Sequence, residues 1–155
     1  MNERADELGM TSAVFYNPNG LPVYTKGTVT AKVQNMMSAD DMFKLSSYIL
    51  NNYPQITDIT SLKYCTISSF NYTTANNNPL VYNISGVNGL KTGVTNRAGS
   101  CLVASVPITF ENETHNIVLA IFGAENSAER GTAAEVLMRA AINYYSENGF
   151  SYPYE

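Results

Sequence analysis

Apolar residues recur at regular intervals through most of this chain, but not through its opening stretch. Met42, Phe43, Leu45, Ile49 and Leu50 repeat at helical spacing, with Ser46 on the same turn of the pattern. Ser38 followed by Asp41 resembles a capping box with Asp in the usual Glu position, and Asn51-Asn52 with Tyr53-Pro54 ends the pattern, so a helix is expected between them. Further on, Gly86 to Val94, Cys101 to Phe110 and Asn116 to Gly123 read as strands. They are separated by polar turns at Asn96 to Gly99 and Glu111 to Thr114. Connections this short favour an antiparallel meander. Ser127 is the expected cap of a closing helix with Ala133, Val136, Leu137, Ala140, Ala141 and Tyr144 on its apolar face and Gly149 after its end.

The rest is less regular. Residues 2–8 read as the last turns of a helix, with Ala5 and Leu8 on one face and Gly9 as its left-handed stop. Residues 10–37 are rich in turn formers, notably Asn17-Pro18-Asn19-Gly20 and Lys26-Gly27, and predict a long ordered loop with short extended pieces. Between Ile56 and Tyr82 the pattern is short and mixed: Tyr64 to Ile67 reads as a strand and Thr73 to Pro79 as a polar turn region. Helices on a three-stranded antiparallel sheet make an α+β domain, with no internal repeat.

Composition narrows the functional classes. With 155 residues, 45% hydrophobic and 14% charged, the chain suits one globular unit. A formal charge of −4 without a lysine or arginine cluster disfavours nucleic acid and anionic membranes. No apolar stretch approaches the roughly 20 residues of a spanning helix, and MNERADELGM has neither the basic nor the apolar region of an export signal. Cys65, Cys101 and the lone His115 lack zinc-site spacing, so no metal or cofactor is expected, and both cysteines read as buried small hydrophobes. His115 has no Ser/His/Asp arrangement around it and is given no role. The N-x-[ST] triplets at Asn71, Asn83 and Asn112 are what an Asn-rich composition produces by chance.

The most informative chemistry is Lys91-Thr92-Gly93, which ends an apolar run and opens into Val94-Thr95-Asn96-Arg97-Ala98-Gly99. Four stretches together resemble the serine D-alanyl-D-alanine carboxypeptidases, the low-molecular-weight penicillin-binding proteins. Met1-Asn2 through Leu8-Gly9-Met10 is similar to the helix after that family's second motif, and Phe15-Tyr16-Asn17-Pro18-Asn19-Gly20-Leu21 to its F-x-N-P-x-G-L loop. Ser38-Ala39-Asp40-Asp41, with its helix and Tyr53-Pro54, resembles the next segment. Gly89 to Thr95 with Ala98-Gly99 resembles the third motif, K-T-G, and its turn.

The resemblance implies a partial β-lactamase/transpeptidase-like domain over residues 1–155, because the nucleophile motif S-x-x-K occurs nowhere in the chain. Ser69-Phe70-Asn71 and Ser146-Glu147-Asn148 mimic the second motif, S-x-N, but both fall after the helix that should follow it. The family chemistry is acyl transfer, in which a serine attacks the D-Ala-D-Ala amide, D-alanine leaves and water releases the acyl-enzyme. By resemblance, Lys91 supplies positive charge beside the serine, Thr92 donates its hydroxyl to the terminal carboxylate, and Gly93 lets the peptide approach the strand edge. The Val94 N–H is an oxyanion donor, Val94 and Thr95 belong to substrate binding, and Arg130 helps hold the carboxylate. Each has a plainer reading: a solvated strand-end lysine, a β-branched strand residue, a bulge glycine, and an arginine paired with Glu125 or Glu129 on the surface.

Three expectations follow. The chain is part of a D-Ala-D-Ala carboxypeptidase acting in peptidoglycan synthesis and remodelling, itself silent for want of the nucleophile, with stem peptides and β-lactams as the family's ligands. Alternatively it is a non-enzymatic binding or assembly module that pairs with itself or complements another chain, since a sheet without its upstream strands exposes an edge. In the third, Met1 is an internal methionine taken as a start, and the chain is a truncated product. The family works in the cell envelope, outside the cytoplasmic membrane.

Overall fold

The computed structural model describes residues 1–29 and 33–150; positions 30–32 of the expected loop lie outside the described residues. In chain order the elements are α1 (Asn2–Glu7), β1 (Tyr24–Thr25), β2 (Thr28–Val29), α2 (Ala39–Asn52), α3 (Thr57–Thr60), β3 (Tyr64–Ile67), β4 (Tyr72–Ala75), α4 (Leu80–Asn83), β5 (Gly89–Thr95), β6 (Gly99–Phe110), β7 (Glu113–Ala124) and α5 (Ser127–Asn148). The main sheet is the antiparallel meander β5-β6-β7, and β1-β2 and β3-β4 form separate hairpins.

The meander alternates its side chains between two faces. In register, Leu102 lies opposite Ile121, Ala104 opposite Leu119 and Val106 opposite Ile117. This face packs under α5 through Ala134 and Met138, under α4 through Leu80 and Val81, and against Ile84 just after α4, forming the main core. Each fully buried Leu or Met there contributes about 1.5–3 kcal/mol of transfer free energy. Helix α2 packs against β7.

Asparagine side chains fold the irregular first segment. Asn35 Oδ1 accepts from the backbone N–H groups of Tyr16 (2.7 Å) and Asn17 (3.3 Å), while Asn17 Oδ1 accepts from Gly20 N (2.9 Å) and its amide donates to Leu21 O (3.0 Å). Asn2 ties α1 to the same loop, donating to Phe15 O at 3.0 Å and accepting from Phe15 N at 2.8 Å. Amide side chains substitute for the backbone ladder that this segment lacks. The capping box at the start of α2 is present in both directions: Asp41 N to Ser38 Oγ at 3.1 Å and Ser38 N to Asp41 Oδ2 at 3.0 Å. The buried Asp41 carboxyl is held below its ordinary value, mainly by the Ser38 backbone N–H and against the opposing effect of its desolvation.

Several expectations need correction. The cap of α5 is Asn126, whose Oδ1 accepts from Ala128 N (3.0 Å) and Glu129 N (2.9 Å); Ser127 is already helical. Helix α5 carries two apolar stripes, and the one expected to face the core is largely exposed at Ala133, Val136, Leu137, Ala140 and Tyr144. Ala134, Met138, Ala141, Ile142 and Tyr145 face the core instead. Spacing alone does not choose between stripes, and the choice is made by the β6 and β7 residues beneath. Residues 73–75 of the expected turn region belong to β4, which starts at Tyr72, because Thr and Tyr pair well across from Tyr64 to Ile67. The first strand of the meander starts at Gly89 rather than Gly86. Both cysteines are half-buried and unpaired.

Candidate active site

Among the described residues, strand β5 pairs with β6 on one side only, so its other edge is free of a neighbouring strand. That edge carries Lys91, Thr92, Gly93 and Val94 into a cleft of about 760 Å³ whose far wall includes Tyr82, Asn77 and Arg130. Two structural levers bring Arg130 there. Asn126 starts α5 immediately after β7, and Gly131 lets the helix approach α4 so closely that a Cβ would sit 3.1 Å from Pro79 Cγ.

Arg130 is 5% exposed, and its guanidinium donates to Asn77 O at 3.1 Å and, weakly, to Cys101 O at 3.5 Å. Its Nε is buried without a hydrogen-bond partner. The ion pairs among the described residues are Arg4 with Glu7, Lys44 with Asp40, His115 with Glu113 and Arg139 with Glu135, so none neutralises Arg130. Glu129, the expected surface partner, instead accepts from the Asn126 amide at 3.1 Å. A buried guanidinium facing a cleft with no carboxylate is an electrostatic deficit that an anion would fill.

The other predicted residues divide. Lys91 is exposed and its ammonium folds back onto the Thr92 carbonyl. A Cβ on Gly93 would meet nothing within 4 Å, so packing within the chain places no demand on that glycine. The missing side chain leaves the strand edge open to an incoming backbone. Val94 is exposed at the cleft. Thr95 lies away from it: its Oγ1 accepts from Ala98 N at 3.0 Å and closes the β5–β6 turn. Among the described residues lining the cleft, the hydroxyls of Thr92, Tyr82 and Ser127 make no hydrogen bond to a lysine amine or histidine ring; that of Tyr82 donates to Lys63 O.

Sequence reasoning overlooked the opposite wall. Asn76 donates to Thr60 O and Leu62 O, both at 2.9 Å, and Asn78 donates to Gly89 O at 2.8 Å, anchoring the segment that presents Asn77 O to Arg130. The Asn76-Asn77-Asn78 run before Pro79 was the available signal, read only as a polar turn.

Comparison with known proteins gives this geometry a context. Residues 1–126 match the family model described as D-alanyl-D-alanine carboxypeptidase. The chain is 30% identical over 150 residues to the D-alanyl-D-alanine carboxypeptidase DacF of Bacillus subtilis (strain 168), covering 94% of this chain and 34% of that protein. It is 35% identical over 108 residues to the D-alanyl-D-alanine endopeptidase of Escherichia coli (strain K12), covering 66% of this chain and 31% of that protein. Penicillin-Binding Protein D2 from Listeria monocytogenes, solved in its cefotaxime-bound form, superposes with a TM-score of 0.73 at 27% identity, covering 89% of this chain and 51% of that one. The chain thus spans about a third of the length of these curated relatives and about half of the solved structure. Its fold is that of the penicillin-binding transpeptidase-like domains, in part, and with the family model matched from residue 1 to 126 the chain belongs to the D-alanyl-D-alanine carboxypeptidase family.

Proposed function

We propose that this chain forms the carboxylate-binding side of a serine-type D-Ala-D-Ala carboxypeptidase site that acts on peptidoglycan stem peptides in the cell envelope. The observation that carries this reading is the single cleft joining the free Lys91–Val94 edge to the anion-poor, buried Arg130. An extended peptide ending in D-Ala-D-Ala adds to the β5 edge as a further strand. Arg130 and the Thr92 hydroxyl take its terminal carboxylate, and Lys91 adds positive charge beside the reacting carbonyl. The Val94 N–H donates to the developing oxyanion. Thr95 acts indirectly, by closing the turn that fixes the end of β5.

The acyl-forming step needs a serine that breaks the amide C–N bond and releases D-alanine, and no S-x-x-K serine occurs in these 155 residues. Alone, the chain therefore binds without turnover. The test is titration with a peptide ending in D-Ala-D-Ala and with its C-terminal amide, followed by backbone amide shifts of Thr92 and Gly93. The acid should bind and the amide should not; equal binding of both would overturn the carboxylate assignment. The intact mass should stay unchanged after penicillin treatment, and a stoichiometric adduct would overturn the inactivity. Cefotaxime, bound by the Listeria protein, is the matching β-lactam probe for the same cleft.

A second reading, an assembly module that complements another chain or pairs with itself, is favoured by one surface. On α5, Gly131, Glu135 and Arg139 face α4, through Pro79, Asn83 Nδ2 (2.7 Å to Glu135) and Asn83 O (2.8 Å from Arg139). At about 100° per residue, Ala133, Leu137, Ala140 and Tyr144 lie on the opposite flank of α5, and among the described residues β7 pairs only with β6, which leaves its other edge open. From Thr114 to Ala124 that edge bears no charge other than the ionisable His115 and no proline to discourage pairing. A strand and a helix from outside these residues would cover both. Sedimentation as a compact monomer without binding of a hydrophobic dye would count against this reading.

A further inference from the structure

From Tyr64 to Leu90 the sequence contains no charged residue, and within this stretch the β3-β4 hairpin stands beside the cleft with almost all of its surface in water. Phe70 at its tip is 79% exposed and Tyr64 63%, with Ile67 and Tyr72 also exposed. Between them lie Thr66, Ser68, Ser69, Asn71, Thr73 and Thr74. Two-stranded hairpins without a packing partner are marginal in water. This one is braced at its base: Asn76 N donates to Lys63 O at 2.8 Å, and Tyr82 Oη donates to the same carbonyl at 2.6 Å. The Thr66 and Thr73 hydroxyls pair across the strands at 2.9 Å.

One face of the hairpin continues into the cleft. Tyr64 and Thr66 project to the same side, as does Thr73 opposite Thr66. The Tyr64 ring packs edge-on against Tyr82, with centroids 6.1 Å apart, and Tyr82 is the cleft wall. Rigid aromatic surface interleaved with hydroxyls and amides, and free of charge, is the composition of a recognition surface. The nearest cation is Lys63 at its base, whose ammonium lies 5.9 Å from the Tyr82 ring centroid, and a lone cation with no other charge along the arm is a poor match for a phosphate backbone or a polyanion. It complements a neutral polyhydroxylated chain, whose sugar rings have apolar faces to lie on Tyr64 and Phe70 and whose hydroxyl and acetamido groups exchange hydrogen bonds with threonine and asparagine.

We infer that the Tyr64–Thr66–Thr73 face of this hairpin, with Phe70 at its tip, binds the neutral, N-acetylated glycan strand of the substrate while the attached peptide occupies the cleft. This deepens the proposed function and rests on it, because the glycan is placed by its continuity with a cleft that takes the stem peptide.

The probe is an N-acetylglucosamine tetrasaccharide, titrated into the full chain with amide shifts as readout and with the D-Ala-D-Ala peptide titrated separately. Shifts confined to Tyr64, Thr66, Phe70 and Thr73 are expected, with affinity falling about tenfold in Tyr64→Ser and in Phe70→Ser, the scale of one lost aromatic contact. Arg130→Met should lose the peptide and keep the sugar. Absence of tetrasaccharide shifts on the wild-type hairpin, or shifts on the Lys91–Arg130 cleft instead, would overturn the inference whatever the variants do. If the peptide still binds in that case, the proposed function stands without it; if sugar binds the hairpin and the peptide does not bind, the cleft reading is the one that fails. Hairpin capture of a protein with no response to sugar would overturn the glycan assignment in favour of a protein partner.

Discussion

Replacing Arg130 by methionine separates a residue kept for a ligand from one kept for the fold. The side chain makes one good charged hydrogen bond, to Asn77 O at 3.1 Å, and one long contact of 3.5 Å to Cys101 O that contributes little. Losing a charge-assisted bond costs about 1.5–3 kcal/mol. Against this, Arg130→Met removes a guanidinium that is 5% exposed, lacks a carboxylate partner and has an orphaned Nε, relieving a desolvation penalty of several kcal/mol. Methionine follows much of the same path through the site and leaves little cavity. The two effects offset each other, so the variant should lie within about 1–2 kcal/mol of the parent, on either side, in urea unfolding. Breaking a buried ion pair would instead cost about 3–5 kcal/mol. An anionic ligand should discriminate further: a D-Ala-D-Ala peptide at about 100 times its Kd stabilises the parent by about 2.7 kcal/mol and Arg130→Met by far less. A loss of about 3–5 kcal/mol in the variant, or equal stabilisation of both proteins by the peptide, would mean that the arginine serves the fold and not a ligand.

Further outcomes test the frame around the site. Met138→Ala should cost about 2–5 kcal/mol, whereas Leu137→Ser, one residue along α5 and half exposed, should change monomer stability by less than about 0.5 kcal/mol; urea midpoints compare them. Gly93→Val should unfold like the parent, since a Cβ there meets nothing, yet lose peptide binding by blocking the edge of β5. Ser38→Ala should cost about 0.5–2 kcal/mol by removing the cap of α2. Because Asp41 is depressed in the folded state, its contribution is fully present above the unfolded carboxylate value and is lost as pH falls through the lower folded one. Asp41→Asn should therefore be less stable than the parent at neutral pH and show a shallower fall in Tm below about pH 4; parallel acid limbs would contradict this.

How much of this was legible depended on whether local chemistry or tertiary partners decided each feature. Ser38 and Asp41 are three residues apart and cap α2 by themselves, so the start of that helix was readable. The meander was readable because its strands are long, alternating and joined by short polar turns. The face of α5 was not, since both of its stripes are apolar and only β6 and β7 choose between them. Lys91 to Gly93 announced themselves as a motif, and Arg130 by resemblance. The Asn76 to Asn78 wall did not, because an asparagine that braces a carbonyl sixteen residues away has the same local signature as one in an open turn. Thr95 was assigned to substrate binding by resemblance, and the bond its Oγ1 accepts from Ala98 N within the β5–β6 turn had no signature in the sequence.

The meander and α5 follow one another without interruption from Gly89 to Asn148, and each packs on its predecessor in the chain. Three residues separate β5 from β6, and two separate β6 from β7, so almost no loop-closure entropy opposes their pairing. Contact order in this half is correspondingly low, and such arrangements assemble early and fast. The strand that carries the candidate site is therefore held by neighbours in the chain, whereas the contact of α2 with β7 spans far more chain. A binding edge built from such local closures needs no partner, peptide or polypeptide, to bring its residues together.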